Sequence, residues 1–451
     1  MCSPLTGVPN EPAARPYKAS FFSPRFETMA RGDLEALQLE RLKRSVSRAY
    51  SLVPHYQQAF DAAGANPDSL KTLDDIRRFP LTTKDDLRRN YPFGMFTVPP
   101  SSLARLHASS GTTGKPTVVG YTDWDLDIWA ELMARSMTAA GIGPLDVLHN
   151  AYGYGLFTGG LGAHDGARRL GATIVPMSGG NTERQVMLLE DFGATVLCAT
   201  PSYALTIAEM AENMGVDLAG GPLRVGLFGA EPWSPAMRTE LEARLGITAV
   251  DLYGLSEIMG PGVACECAQA QDGHHLWEDH FLFESIDPDS GEPVTPGEPG
   301  ELVVTTLTKE ALPMVRFRTR DITRLSDEPC VCGRTHRRMM RVAGRSDDML
   351  IVRGVNLFPS QVEAVLVGIP DVAPCYQIVV DRQKSLDDLV VEVELIPDAI
   401  LDPARVDQAK AAVQQRIRTM IGIGCTVVAK NPGTIPRSEG KAVRVRDLRT
   451  V

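Results

Sequence analysis

The sequence predicts an α/β fold: a large N-terminal domain of mostly parallel sheets covered by helices, with a small antiparallel segment, then a small α+β C-terminal domain. Three observations carry this. At 451 residues the chain exceeds what one hydrophobic core usually supports. From about residue 146, short apolar strands bounded by glycine alternate with helical stretches. The charged and small residues of GRSDD, Gly344 to Asp348, then separate two apolar blocks, which suits an exposed junction.

Taken in order, residues 33–53 place apolar side chains at helical spacing among charges, and residues 84–90 form a shorter helix. DVLHNAY reads as a strand, followed by a glycine-rich helical stretch, the strand ATIVPM, a helix, the strand ATVLCAT and a helix over residues 202–213. LRVGLFG, a helix over residues 235–245 and TAVDLYG continue the rhythm, as expected of a parallel sheet buried on both faces. Ligands bind such sheets beyond the strand C-terminal ends, so GAEPW and YGLSE mark where chemistry belongs. After Gly273 the longer alternating strands HLWEDHFLFESID, GELVVTTLT and PMVRFRTRDITRL read as an antiparallel segment. A strand, a helix over residues 359–367, the strands CYQIVVD and LVVEVELI, a helix over residues 403–420 and the strand CTVVAK then form the small domain. The division falls between residues 1–344 and 345–451, and the tail GTIPRSEGKAVRV places Lys441 on a loop before a short strand.

The bulk properties exclude several classes of function. A formal net charge of −10 argues against a broadly basic nucleic-acid-binding surface. No apolar run reaches membrane-spanning length, and the opening MCSPLTGVPNEPAARP lacks the order of a signal peptide, so a cytoplasmic protein without membrane partners is expected. Eight cysteines in a chain this long do not make a disulfide scaffold, and close pairs raise the question of a metal.

One loop carries phosphate chemistry. In Ser109-Ser110-Gly111-Thr112-Thr113-Gly114-Lys115, the glycines bring backbone N–H groups close to an anion while the hydroxyls and the Lys115 ammonium add donors and charge. It is not a Walker loop, which needs four residues between its glycines and a Ser or Thr after the lysine; Pro116 stands there instead. TVVGYT after it reads as a strand, so the loop caps a hairpin folded over a phosphate. The alternative is an ordinary Gly/Ser surface turn.

The ordered set SSGTTGKPT, YGYGLFTGGLGAH, FGAEPW, DLYGLSE, WEDH, RFRTRD, GRSDDMLIVRGVNLFPSQVE and PRSEGK resembles the phenylacetate–CoA ligase family of adenylate-forming enzymes, over nearly the whole chain. The resemblance implies that ATP, with Mg²⁺, activates an aromatic carboxylate as an acyl-adenylate, releasing pyrophosphate, and that the acyl group then passes to coenzyme A. It implies Lys115 and the rest of its loop on the phosphates, Glu257 as the Mg²⁺ ligand, Tyr253 against the adenine and Ser256 near the α-phosphate. Asp321 would accept the ribose hydroxyls with Arg345 beside it, and Ala230, Glu231, Asp251 and Gly254 would complete the nucleotide site. Lys441 corresponds to a mobile lysine bridging the substrate carboxylate and α-phosphate. Asp347 matches the hinge about which the small domain swings. Each of these residues also has a plainer alternative, as a core tyrosine, a solvated acid or a surface lysine.

By the same resemblance, Tyr152, Phe157, Ala163, His164, Gly229, Ala230 and Pro261 line an aryl pocket. The family often has Tyr after the GLGAH histidine, whereas this chain has Asp165. Reaching the pocket, Asp165 would accept a hydrogen bond from an amino or hydroxyl substituent and favour a substituted benzoate such as anthranilate over phenylacetate; otherwise it is a helix-surface aspartate. The resemblance also favours Cys267, His275, Cys330 and Cys332 as a structural Zn²⁺ set, the alternative being buried free thiols. It suggests a homodimer. Two rival readings are an adenylating enzyme that loads a carrier-protein phosphopantetheine thiol and a nucleotide-binding regulator without catalysis.

Overall fold

Helix α1 (Arg31–Leu52) forms where Leu34, Gln38, Leu42, Val46 and Ala49 recur on one face, and that face is buried. It belongs to a computed structural model that describes residues 20–108, 116–346, 350–352, 355–383, 386–436 and 443–448. The phosphate loop with Ser109, Ser110, Gly111, Thr112, Thr113, Gly114 and Lys115, the hinge residue Asp347 and the tail residue Lys441 lie outside the described residues. Helices α2 (Pro54–Ala62) and α3 (Lys84–Arg89) follow, with Thr83 and Asp86 forming a capping box at the start of α3. Strands β1 (Arg105–Ala108) and β2 (Val118–Tyr121) then pair antiparallel, as the hairpin reading expects.

The alternating rhythm resolves into β3 (Val147–Asn150), β4 (Thr173–Val175), β5 (Val196–Ala199), β6 (Val225–Gly229) and β7 (Thr248–Leu255), all parallel, with β3 between β4 and β5. Every residue of β5 and β6 is buried, as a sheet covered on both faces requires. Helices α4 (Asp123–Ala139), α5 (Thr158–Leu170), α6 (Thr182–Asp191), α7 (Pro201–Met214) and α8 (Pro235–Leu245) provide the cover. Glycine costs helix propensity, yet α5 carries several because α4 lies close against it: a Cβ on Gly166 would stand 2.3 Å from Met133 Cβ.

The sheet reverses direction earlier than the texture change at Gly273 suggests. Strand β8 (Gly260–Cys265) already runs antiparallel to β7, and β9 (His274–Leu276) is antiparallel to β8. Two short strands, β13 (Leu325–Ser326) and β14 (Arg338–Met339), complete a nine-stranded mixed sheet. The expected single strand over residues 275–287 is two, because the chain turns at Trp277–His280 and β10 (Phe281–Ile286) joins a second sheet with β11 (Gly300–Thr306), β12 (Phe317–Thr323) and β15 (Gly344–Arg345). The turn has an electrostatic reason. It presents Glu278 to Arg31 (2.8 Å) and Arg337 (2.7 Å) and Asp279 to the fully buried Arg135 (2.9 Å). Removing one partner of such a buried pair typically costs about 3–5 kcal/mol.

The C-terminal part has a core of its own, running from Leu350 to Val427. A hairpin, β16 (Leu350–Val352) with β17 (Val355–Leu357), leads into helix α9 (Pro359–Leu366). The sheet order is β20 (Thr426–Lys430), β19 (Leu386–Leu395), β18 (Val372–Gln383), β21 (Val445–Asp447), with helix α10 (Pro403–Ile421) leading into β20. This is the α+β pattern expected, and β21 is the short strand after the tail loop.

Candidate active site

The ends of β6 and β7 meet the antiparallel sheet where the motifs predicted chemistry. At the end of β6, Ala230 holds a left-handed φ of 73°, uncommon for a residue with a Cβ and characteristic of functional turns. Glu231 beside it accepts the Ser202 N–H at 2.8 Å and the Ser202 hydroxyl, and so caps α7. At the end of β7, the Tyr253 hydroxyl donates to Asp321 Oδ2 at 2.6 Å. Burial and then the Asp321 charge push the Tyr253 phenol up, so it stays a donor. Asp321 and Arg345 face each other in register across β12 and β15, with Arg345 Nη1 3.5 Å from Asp321 Oδ1. Three of the proposed nucleotide residues are thereby brought together.

Gly254 permits the next step of the chain, since a Cβ there would lie 1.9 Å from the Gly260 carbonyl oxygen. The chain then turns through Ser256, whose hydroxyl is 3.1 Å from that of Thr158, to the buried Glu257. Lys84 Nζ forms an ion pair with Glu257 Oε1 at 3.0 Å. A cleft of about 260 Å³ opens here, and Lys84, Arg88, Arg318, Arg320 and Arg345 among its walls make it cationic. A carboxylate amid cations suits a hard metal ion carrying phosphate oxygens.

Asp251 is placed differently from the expected nucleotide contact. It lies behind the site, 3.2 Å from His274 Nε2. Burial opposes its ionisation, but the His274 charge outweighs this and holds the carboxylate below its ordinary range. The neighbouring His275 points to the other face of β9, with Nε2 3.3 Å from Cys332 Sγ.

In the pocket region Tyr152 is buried and its hydroxyl donates to the Leu227 carbonyl at 3.2 Å. Ala163 is fully buried, Phe157 is exposed, and the Pro261 carbonyl accepts Trp129 Nε1–H at 2.9 Å. His164 Nδ1 is 3.2 Å from the Tyr154 hydroxyl. Asp165 is ion-paired with Arg105 Nη1 of β1 at 2.7 Å, so a substrate amino group would compete with a guanidinium for it.

The ligand atoms of Cys267, His275, Cys330 and Cys332 all lie within 4.8 Å of one another. Cys267 and Cys330 sulfurs are 3.6 Å apart. Two thiolates bound tetrahedrally at about 2.3 Å from one zinc would stand roughly 3.8 Å apart, so the cluster has the size of a closed site.

Sequence reasoning missed Lys84, Arg105 and Lys309. Lys309 is 2 % exposed, and burial lowers its ammonium pKa to about 8. Its sequence signal is faint: a lysine in TLTKE just beyond a strand whose every residue is buried.

Residues 45–308 match the family described as AMP-binding enzyme, and residues 354–449 match the AMP-binding enzyme C-terminal domain. A phenylacetate–coenzyme A ligase of Escherichia coli is 56% identical over 94% of this chain and 97% of its own. One from Thermus thermophilus is 52% identical over 95% of this chain and 99% of its own. Among solved structures, a 2-hydroxyisobutyryl-CoA ligase in the postadenylation state, with its acyl-AMP, aligns at a TM-score of 0.90 with 30% identity, covering 98% of this chain and 95% of that one. The same ligase in its thioester-forming state, with CoA, aligns at 0.71 with 31% identity over 94% and 92%.

Proposed function

The chain belongs to the phenylacetate–CoA ligase family of AMP-binding, adenylate-forming enzymes, and from that premise we propose that its acid is phenylacetate and its acceptor free coenzyme A. As a family member it is an AMP-forming acid–thiol ligase. The carrying observation is the array at the ends of β7 and β12: the Tyr253 hydroxyl on Asp321, Arg345 on the same carboxylate and Glu257 one turn away.

In this reading Asp321 accepts the ribose hydroxyls of ATP and the Tyr253 face lies against the adenine. Arg345 holds the nucleotide, and Ser256, Ala230, Glu231 and Gly254 shape the wall. Glu257 fits a Mg²⁺ ion, being a buried carboxylate on the wall of the cleft that already holds one cation, Lys84, against an oxygen. Bound there, the ion would neutralise the phosphate charge that otherwise repels an attacking carboxylate. Lys115 and its loop take the phosphates, and Lys441 meets the acid carboxylate at the α-phosphorus. Attack there releases pyrophosphate; the coenzyme A thiol then attacks the acyl carbon and AMP leaves. The small domain, residues 345–451, swings about Asp347 between the steps. Similarity to a postadenylation form supports this exchange, because the same ligase aligns less well in its CoA-bound state.

The ion pair between Asp165 and Arg105 favours an unsubstituted ring over anthranilate. An assay of phenylacetate, benzoate and 2-aminobenzoate with ATP and coenzyme A tests the choice. Phenylacetate is expected to give the highest kcat/KM, and a clear preference for 2-aminobenzoate would overturn it. Thioester formed only on a carrier-protein arm would sink the free coenzyme A reading. Cys267, His275, Cys330 and Cys332 hold a structural Zn²⁺ with no part in the reaction. Working in the cytoplasm as a homodimer completes the reading carried by the resemblance.

A further inference from the structure

Lys309 follows β11 and lies beneath the turn that carries Glu257. Its Nζ donates to the carbonyl oxygens of Ile258 at 2.8 Å and Glu257 at 3.3 Å. The ammonium also sits 4.9 Å from the Tyr121 ring centroid, and the Tyr121 hydroxyl donates to the Met259 carbonyl at 2.9 Å. Three successive carbonyls of the turn are thus taken by two buried side chains. The residues after Lys309 are held as firmly. Asp125, in the first turn of α4, accepts the N–H groups of Glu310 at 2.6 Å and Ala311 at 2.9 Å. The same carboxylate accepts the Thr122 N–H at 3.0 Å, next to the end of β2. A continuous path of charge-assisted hydrogen bonds therefore joins the exit of the phosphate hairpin to the turn bearing Glu257.

We propose that Lys309 is a positioning residue: it fixes the turn at residues 256–259 before nucleotide arrives, so that Glu257 meets Mg²⁺ in place and in register with the phosphate hairpin. The proposal rests on reading Glu257 as the Mg²⁺ ligand. A buried ammonium is costly, and an interior lysine whose hydrogen bonds go to two backbone carbonyls of one turn has a use that a leucine of similar volume would not serve. Leucine would leave the two carbonyls unpaired and the turn free to relax.

The test compares Lys309→Met, Lys309→Gln and Glu257→Gln in two measurements, the Mg²⁺ dependence of pyrophosphate release and hydrogen exchange of the peptide covering residues 255–260. In Lys309→Met the Mg²⁺ concentration for half-maximal rate should rise roughly tenfold or more, the scale of losing a hydrogen bond from a charged donor. The KM for the acid should stay unchanged, exchange in the turn should quicken while the core sheet stays protected, and Lys309→Gln, which keeps an amide donor, should recover part of the loss. Unchanged Mg²⁺ dependence in Lys309→Met, or exchange quickened equally across the sheet, overturns the proposal. Glu257→Gln tests the premise separately: an unaltered Mg²⁺ requirement there removes the ligand reading, while exchange in Lys309→Met still reports whether the lysine holds the turn. Should Lys309→Met not fold, the unmutated protein decides. Its turn peptide must exchange as slowly without MgATP as with it, and protection that appears only with MgATP overturns the proposal.

Discussion

Tyr253 shows how much one residue does at this site. Its hydroxyl spends its proton on Asp321 at 2.6 Å, fixing the carboxylate assigned to the ribose. Tyr253→Phe keeps the ring and removes only this bond, so the KM for ATP should rise roughly tenfold with a smaller change in kcat. Steady-state kinetics at saturating acid and coenzyme A check it, and a fall in kcat with KM unchanged would contradict the assignment. Tyr253, Asp321 and Glu257 could be named from the sequence because each stands in a motif, DLYGLSE or RFRTRD, that carries the family resemblance. Their mutual contact could not be, since 68 residues separate Tyr253 from Asp321. Lys84 and Lys309 were illegible for a related reason: a single lysine has no local pattern, and what marks Lys309 is burial that the fold creates.

At the scale of elements, periodicity and glycine placed the parallel strands and most helices, but not α2 or the long, largely buried α4. Strand direction was less accessible, because β8 turns back on β7 through pairing between residues rather than through anything in their composition. The Cys/His cluster sits on this reversed edge, with His275 on β9 and Cys267 just after β8. If zinc staples the edge, metal analysis of purified protein should find one zinc per chain. Cys332→Ser should lose it and melt several degrees lower, with the KM for ATP little changed in the folded protein. Zinc-free protein with full activity and an undiminished melting temperature would remove the assignment.

Across the whole molecule, the two parts meet through a small polar contact. Glu363 of α9 accepts the Ser234 N–H at 3.1 Å, Arg444 Nη2 is 3.8 Å from Glu363 and 3.0 Å from the Ser202 hydroxyl, and the Ser360 hydroxyl donates to the Ala343 carbonyl at 2.7 Å. Burial, opposed by Arg444 and reinforced by the charge of Glu231, raises the Glu363 carboxyl from 4.5 to about 7. The folded protein therefore holds this proton more tightly than the unfolded chain. Stability from it is fully present below about pH 4.5 and is lost as pH rises through about 7. Relative to Glu363→Gln, the melting temperature of the unmutated protein should fall across that window, and parallel pH profiles would refute the linkage. The division into two parts was readable from the charged junction; the contact between them was not, because its residues come from five separate segments.

Strand β9 turns His274 toward Asp251 of β7 and His275 toward Cys332. Two adjacent imidazoles of the same kind are thus told apart only by the pleat. A slip of β9 by one residue that turned His274 toward the thiols would bring Gly273 opposite Asp251 and leave the aspartate without an imidazole. Insertions and deletions between Cys267 and His274 are therefore far more damaging than substitutions there, and this stretch should keep its length through evolution even where its composition drifts.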